Sequence, residues 1–267
     1  MTDRASGAWD CHVHVFSAAA PVRRGHYQPV DHPLGQIEST AQAHDVDRLV
    51  IVQPSVYGTD NSLLLHSLAV CPGRHRGVVV VDSHVTDAEL EEMHALGVRG
   101  VRFNRVSPVG EEIFPLQQFA ALAPRLKNRG WHVQWYVGVD QLAAVAALHR
   151  GSGLTCVLDH LAGFHAGVAM DSTAWRSVEE LAQQGAWLKL SGWYRLQARE
   201  PYRELVPQVQ RLSALFGDRM VWGSDWPHTM FEPHALPSYV STWRPVEEAL
   251  GLKAARALRS RPPSIYA

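Results

Sequence analysis

Eight short apolar runs, separated by longer segments of helical periodicity, constrain the fold of this chain more than anything else in it. The runs are Trp9–Val15, Arg48–Val52, Arg76–Val81, Val98–Phe103, Trp131–Val137, Thr155–Leu158, Ala186–Leu190 and Arg219–Trp222. Each is rich in Val, Ile, Leu or aromatic residues, as strands buried on both faces are. Between them lie helical patterns such as LGQIESTAQAHD, NSLLLHSLAV, DAELEEMHALG, PLQQFAALAPRLKNRG and DQLAAVAALHRGSG, several opening after Asp or Thr and closing on Gly. Strand–helix alternation implies parallel strands with right-handed crossovers, and eight repeats close into a barrel. An open doubly wound sheet competes, but no glycine fingerprint follows the first strand. The reading is therefore an α/β fold, a (β/α)8 TIM barrel in a single domain over residues 1–267. Phe16–Pro33 forms a long first loop, and Pro237–Pro245 breaks the chain before a last helix.

Composition narrows the partners. Hydrophobic residues make up 46% of the chain and charged residues 19%, enough apolar matter for a large core. Lys and Arg number 25 against 26 Asp and Glu, a net charge of −1. No basic field exists to hold nucleic acid or an anionic membrane, so preference for an anionic ligand must come from local arginines. The three cysteines, Cys11, Cys71 and Cys156, include no CxxC pair and argue for a reducing compartment. No apolar h-region or membrane-length stretch is present, and a cytoplasmic location is expected. Oligomeric state is left open by the sequence.

Polar residues cluster where the strands end, the face on which barrel enzymes place their chemistry. The first strand ends in DCHVH, so His12 and His14 are two apart and project to one side. Later strands run into QPSVYGTDN, RGVRFNR, WYV, LDHLAG, KLSGWYR and WGSDWPH. A lone HxH is weak as a metal motif; with His160 and Asp225 it becomes a site. Asp225 could cap a helix, but its place at the mouth opposite the histidines favours a general base that activates water. His160, next to Asp159, fits polarisation of a scissile carbonyl, together with His12 and His14. Arg102 and Arg195 carry forked donors suited to carboxylates. Ser55 and Tyr57 add hydrogen-bond donors, Thr59 and Asp60 suit a helix cap, and Tyr136 either donates to the carbonyl or packs in the barrel. Trp193, Trp226 and His228 would shape the pocket rim.

The HxH pair, His160, Asp225 and the motifs VQPSVYGTDN, GVRGVRFN, LDHLAG, LKLSGWYRL and WGSDWPH together resemble the amidohydrolase superfamily, in the branch of the 2-pyrone-4,6-dicarboxylate lactonases. The resemblance implies a hydrolase that opens a small carboxylated lactone. Asp225 would take a proton from water and return one to the leaving oxygen, and Arg102 and Arg195 would bind substrate carboxylates. Two other chemistries on the same barrel compete, lactone isomerisation and zinc-dependent decarboxylation.

A binuclear metal site would need a bridging strand-four ligand and a strand-five histidine, yet the strands offer Arg102-Phe103-Asn104 and Gln134-Trp135-Tyr136. One zinc could still be held by His12, His14, His160 and Asp225. An arginine at the mouth opposes a cation, and the lactonase resemblance implies metal-free hydrolysis, so no metal is expected to be required. The chain departs from the lactonase pattern in one respect. A second strand-four arginine aligns with Pro108, leaving Arg105 as the candidate replacement.

Overall fold

The structure, a computed structural model, describes residues 7–24, 27–106, 116–229, 231–261 and 263–267. Eight parallel strands form one sheet in sequence order: β1 (Ala8–Val13), β2 (Val46–Val52), β3 (Arg76–Val79), β4 (Val98–Asn104), β5 (His132–Tyr136), β6 (Cys156–Leu158), β7 (Trp187–Leu190) and β8 (Met220–Trp222). Around them run α1 (Leu34–Gln42), α2 (Ser62–Ala69), α3 (Asp87–Leu96), α4 (Leu116–Asn128), α5 (Leu142–His149), α6 (Ala174–Gln183), α7 (Val206–Phe216), α8 (Arg244–Leu250) and α9 (Leu252–Ser260). This is the (β/α)8 barrel that the alternation implied. No helix among the described residues is long and apolar enough to cross a membrane.

Closure happens just beyond the regular strands. Asp225 N donates to His12 O (2.9 Å) and His14 N to Trp226 O (2.9 Å), joining the extensions of β8 and β1. The buried Asp10 carboxylate stitches the same seam, accepting from the amides of His12 (3.2 Å) and Ser224 (2.9 Å) and from the Tyr239 hydroxyl (2.8 Å). Burial pushes the Asp10 carboxyl up to about 6 against those hydrogen bonds. Gly223 makes the close approach possible, since a Cβ there would lie 2.4 Å from the His12 Cβ.

The core has two parts. Between strands and helices lies a large apolar layer that includes Val13, Val15, Val133, Trp135, Leu188 and Leu190. Inside the barrel a smaller cluster of Trp9, Cys11, Val50, Val52, Val78 and Val221 includes Tyr266 from the C-terminal segment, whose ring stacks on Trp9. Trp9 and Cys11 thus face inward while Val13 and Val15 face outward. The change of phase coincides with a register shift between Asp10 and Val13. A bulge of this kind re-aims side chains at a barrel rim, and it turns both His12 and His14 into the mouth.

Candidate active site

His12 and His14 come from the end of β1, Arg102 and Asn104 from β4, and Tyr136 from β5. Asp159 and His160 follow β6, Tyr194 and Arg195 follow β7, and Asp225 follows β8. Two of these loops hold non-glycine residues in left-handed backbone. His160, Leu161 and Ala162 have φ of 47°, 52° and 55°, and Asp225 has φ 61°. Such conformations cost roughly 1–2 kcal/mol per residue and persist where surrounding contacts impose them, a pattern common at functional sites.

Asp225 is fully buried. Its Oδ2 accepts from Arg195 Nε (2.7 Å) and the Tyr194 hydroxyl (2.7 Å). Its Oδ1 lies 3.4 Å from His14 Nε2 and 3.6 Å from His12 Nε2. Burial is the largest influence and opposes ionisation, yet Arg195, with His160 next, outweighs it and holds the carboxyl well below the usual carboxylate range. His14 Nδ1 donates to Val52 O (2.7 Å), which turns Nε2 toward the site. His160 Nδ1 meets the Ser191 hydroxyl at 2.9 Å, and its ring sits edge-on to Tyr136 at 4.7 Å. Burial lowers the His160 pKa to about 4, so it is neutral at ordinary pH.

Beneath the histidines lies a charged layer. Asp159 Oδ2 accepts from Arg102 Nε (3.0 Å) and Gln134 Nε2 (2.9 Å), and Asp159 Oδ1 is 3.4 Å from His12 Nδ1. Lys189, wholly buried on β7, donates to Gln134 Oε1 (2.7 Å) and Cys11 O (3.0 Å). The sequence reading did not single out Lys189 or Tyr194. A lysine inside the apolar run WLKL was the available signal, because lysine is almost never fully buried unpaired.

Three buried atoms at the centre, His12 Nε2, His160 Nε2 and Asp225 Oδ1, make no hydrogen bond. One ligand atom from each of these residues lies within 4.8 Å of the others, so the set can hold a metal ion. A ligand set of two imidazoles and a carboxylate is adequate for zinc, which would polarise a carbonyl there.

Other expected residues divide. A cleft that shares Arg102 with the charged layer is also lined by Arg23, Ser55, Asn104 and Arg105, with Ser55 Oγ accepting from Asn104 Nδ2 at 2.6 Å. Tyr57 is not available as a ligand donor, since its hydroxyl donates to Ser17 O (3.0 Å) and accepts from Ser17 N (2.9 Å). Arg195 is turned to Asp225 through Nε, and its Nη2 donates to Thr229 Oγ1 at 3.2 Å. Trp193 belongs to the core rather than the rim, buried with its indole N–H on Thr242 O at 2.7 Å. His228 is buried against the Tyr194 ring. Asp60 supports the start of α2 through Ser62 N (3.1 Å). Pro108 lies outside the described residues.

A closed barrel that gathers histidines and an aspartate where its strands end defines an enzyme of the amidohydrolase type. The amidohydrolase family model matches residues 9–253, and the chain belongs to that family. Over 245 residues it is 31% identical to a 2-pyrone-4,6-dicarboxylate hydrolase of Comamonas testosteroni, covering 86% of this chain and 79% of the relative. It is 29% identical to a 4-sulfomuconolactone hydrolase of Rhizobium radiobacter, with the same coverage of 86% and 79%. The crystal structure of a Pseudomonas putida protein classed as a 2-pyrone-4,6-dicarboxylic acid hydrolase superposes with TM-score 0.85 at 32% identity, covering 98% and 97% of the two chains.

Proposed function

We propose that this protein is a hydrolase that opens a small anionic lactone by attack of water on the ring carbonyl. The observation that carries the reading is the convergence of Asp225 Oδ1, His12 Nε2 and His160 Nε2, buried without partners, with Arg102, ion-paired to Asp159 in the layer beneath them, also lining a cleft with Arg23 and Arg105. Asp225 Oδ1 takes a proton from water as the water oxygen bonds to the carbonyl carbon. The ring C–O bond then breaks, and the proton passes to the leaving oxygen. His12, His160 and Tyr136 surround the carbonyl oxygen, where negative charge develops, while His14, held through Nδ1 by Val52 O, turns Nε2 toward Asp225 Oδ1. Arg195 and Tyr194 aim the Asp225 carboxylate. Arg102, Arg105 and Arg23 hold the substrate's anionic groups. The relatives named for a pyrone dicarboxylate and a sulfomuconolactone, both anionic lactones, support this substrate class.

The same reading requires no metal. Lys189, Arg102 and Arg195 already more than match the two ionised carboxylates of Asp159 and Asp225, and a divalent ion would add positive charge to a buried, cationic set.

The test is ring opening of 2-pyrone-4,6-dicarboxylate by chelator-treated enzyme, followed by ultraviolet absorbance beside an Asp225→Asn variant. Turnover should survive chelation and fall on the order of 10²–10⁴-fold in the variant. Activity lost to the chelator and restored by zinc would sink the metal-free mechanism. An isomer formed without water uptake would sink the hydrolase.

A further inference from the structure

Lys189 has no part in the chemistry above, yet a buried ammonium directly beneath a catalytic imidazole constrains that imidazole. An ammonium has three hydrogens. Gln134 Oε1 and Cys11 O take two of them. The third has two candidate acceptors, His12 Nδ1 at 3.4 Å and Asp159 Oδ1 at 3.6 Å. Those two atoms are themselves 3.4 Å apart.

The choice decides what His12 presents to the site. If Lys189 donates to Nδ1, that nitrogen must carry the lone pair, and the neutral ring bears its proton on Nε2. If His12 Nδ1–H donates to Asp159 instead, Nε2 is bare. The first arrangement offers a donor to a developing oxyanion. The second offers a lone pair to a cation, as in metal sites where a carboxylate backs a ligating histidine. Two features favour the first. The contact from Lys189 to His12 has hydrogen-bond geometry, whereas Asp159 Oδ1 accepts no hydrogen bond. Asp159 also already receives two donors on Oδ2, from Arg102 and Gln134.

We propose that Lys189 is a positioning residue that fixes the tautomer of His12, keeping an Nε2–H aimed at the carbonyl oxygen and disfavouring metal capture by His12, His160 and Asp225. The catalytic half of this rests on the lactone reading; the tautomer itself does not depend on which substrate is turned over.

The direct test is two-bond ¹H–¹⁵N correlation on the whole protein labelled with ¹⁵N-histidine, with His12 assigned from the signals that vanish in His12→Gln. The expected pattern is the Nε2–H tautomer. An Nδ1–H or doubly protonated His12 overturns the proposal, whatever the outcome of any lactone assay. Lys189→Met supplies a second readout. The variant is expected to lose at least tenfold in kcat with KM within about twofold, and to bind zinc at least tenfold more tightly in competition with a chromophoric chelator. Unchanged zinc affinity in a folded Lys189→Met protein also overturns it. Should that variant fail to fold, the wild-type spectrum still decides the question.

Discussion

Arg23 reaches the cleft from the long loop after β1, and its place there depends on a single glycine. Gly58 has φ 55°, and a Cβ at that position would lie 2.7 Å from Arg23 Cδ. The guanidinium forms no ion pair among the described residues, and it lines the same cleft as Arg102 and Arg105. A second anion clamp can therefore come from the first loop, where the sequence suggested only Arg105. If so, Arg23→Ala should raise KM about tenfold for a dianionic lactone and far less for a monoanionic one, with kcat nearly constant, in steady-state kinetics on both substrates. Equal effects on the two would remove Arg23 from substrate recognition. The contrast shows what single residues disclose. His12, His14, His160 and Asp225 were legible because they end strands, and strand ends are where barrels gather. Tyr57 carried the same signal but spends its hydroxyl on Ser17, a contact 40 residues away. Lys189 and Asp10 find their partners across several strands, and no local pattern in one sequence encodes those partners.

Elements explain why these residues meet at the right spacing. All eight strands were readable from apolar runs, and the start of α3 from its sequence. Thr86 and Glu89 form a reciprocal capping box there, and Gly97 ends the helix at φ 109°. The bulge in β1 was not readable, because alternation predicts only that His12 and His14 share a side. It does not show that Cys11 also faces inward. Close approach between elements was equally hidden. Gly192, after β7, has φ 60°, and a Cβ on it would fall 2.3 Å from His160 Nδ1. That distance is far inside van der Waals contact, so a side chain there must displace the His160 ring from Ser191. Gly192→Ala is accordingly expected to lower kcat at least tenfold and to destabilise the fold by on the order of 1–3 kcal/mol, combining strain at positive φ with the clash. Kinetics together with urea unfolding would measure both. An Ala variant of wild-type activity would show that the β6 and β7 loops do not hold His160 by this contact.

For the molecule as a whole, burying so many imidazoles ties stability to acidity. Burial lowers the pKa of His132 to about 3 and those of His149, His160 and His228 to about 4. An unfolded histidine titrates near ~6.5. Between these values the unfolded chain binds more protons than the folded one, so stability rises with pH in this window and is lost as pH falls below about 6.5. Each pKa unit is worth roughly 1.4 kcal/mol, so each such histidine contributes about 3.5–5 kcal/mol of acid destabilisation once the pH has fallen through its folded value. Asp10 acts in the opposite sense. Its folded pKa is raised to about 6 from an ordinary 3.8, so its contribution is fully present below 3.8 and lost as pH rises through about 6. One carboxyl of this kind offsets about one histidine, and the others prevail. The depressed carboxyls of Asp159 and Asp225 add loss in the same direction only at still lower pH. Calorimetry is therefore expected to show the melting temperature falling by at least ~10 °C between pH 7 and pH 4.5. Unfolding near pH 5 should take up several protons, measurable as a dependence of its heat on buffer ionisation enthalpy. A melting temperature that is flat or rising over that interval would mean the buried histidines are solvated or charged in the folded protein, and the neutral His160 on which the mechanism depends would fall with them.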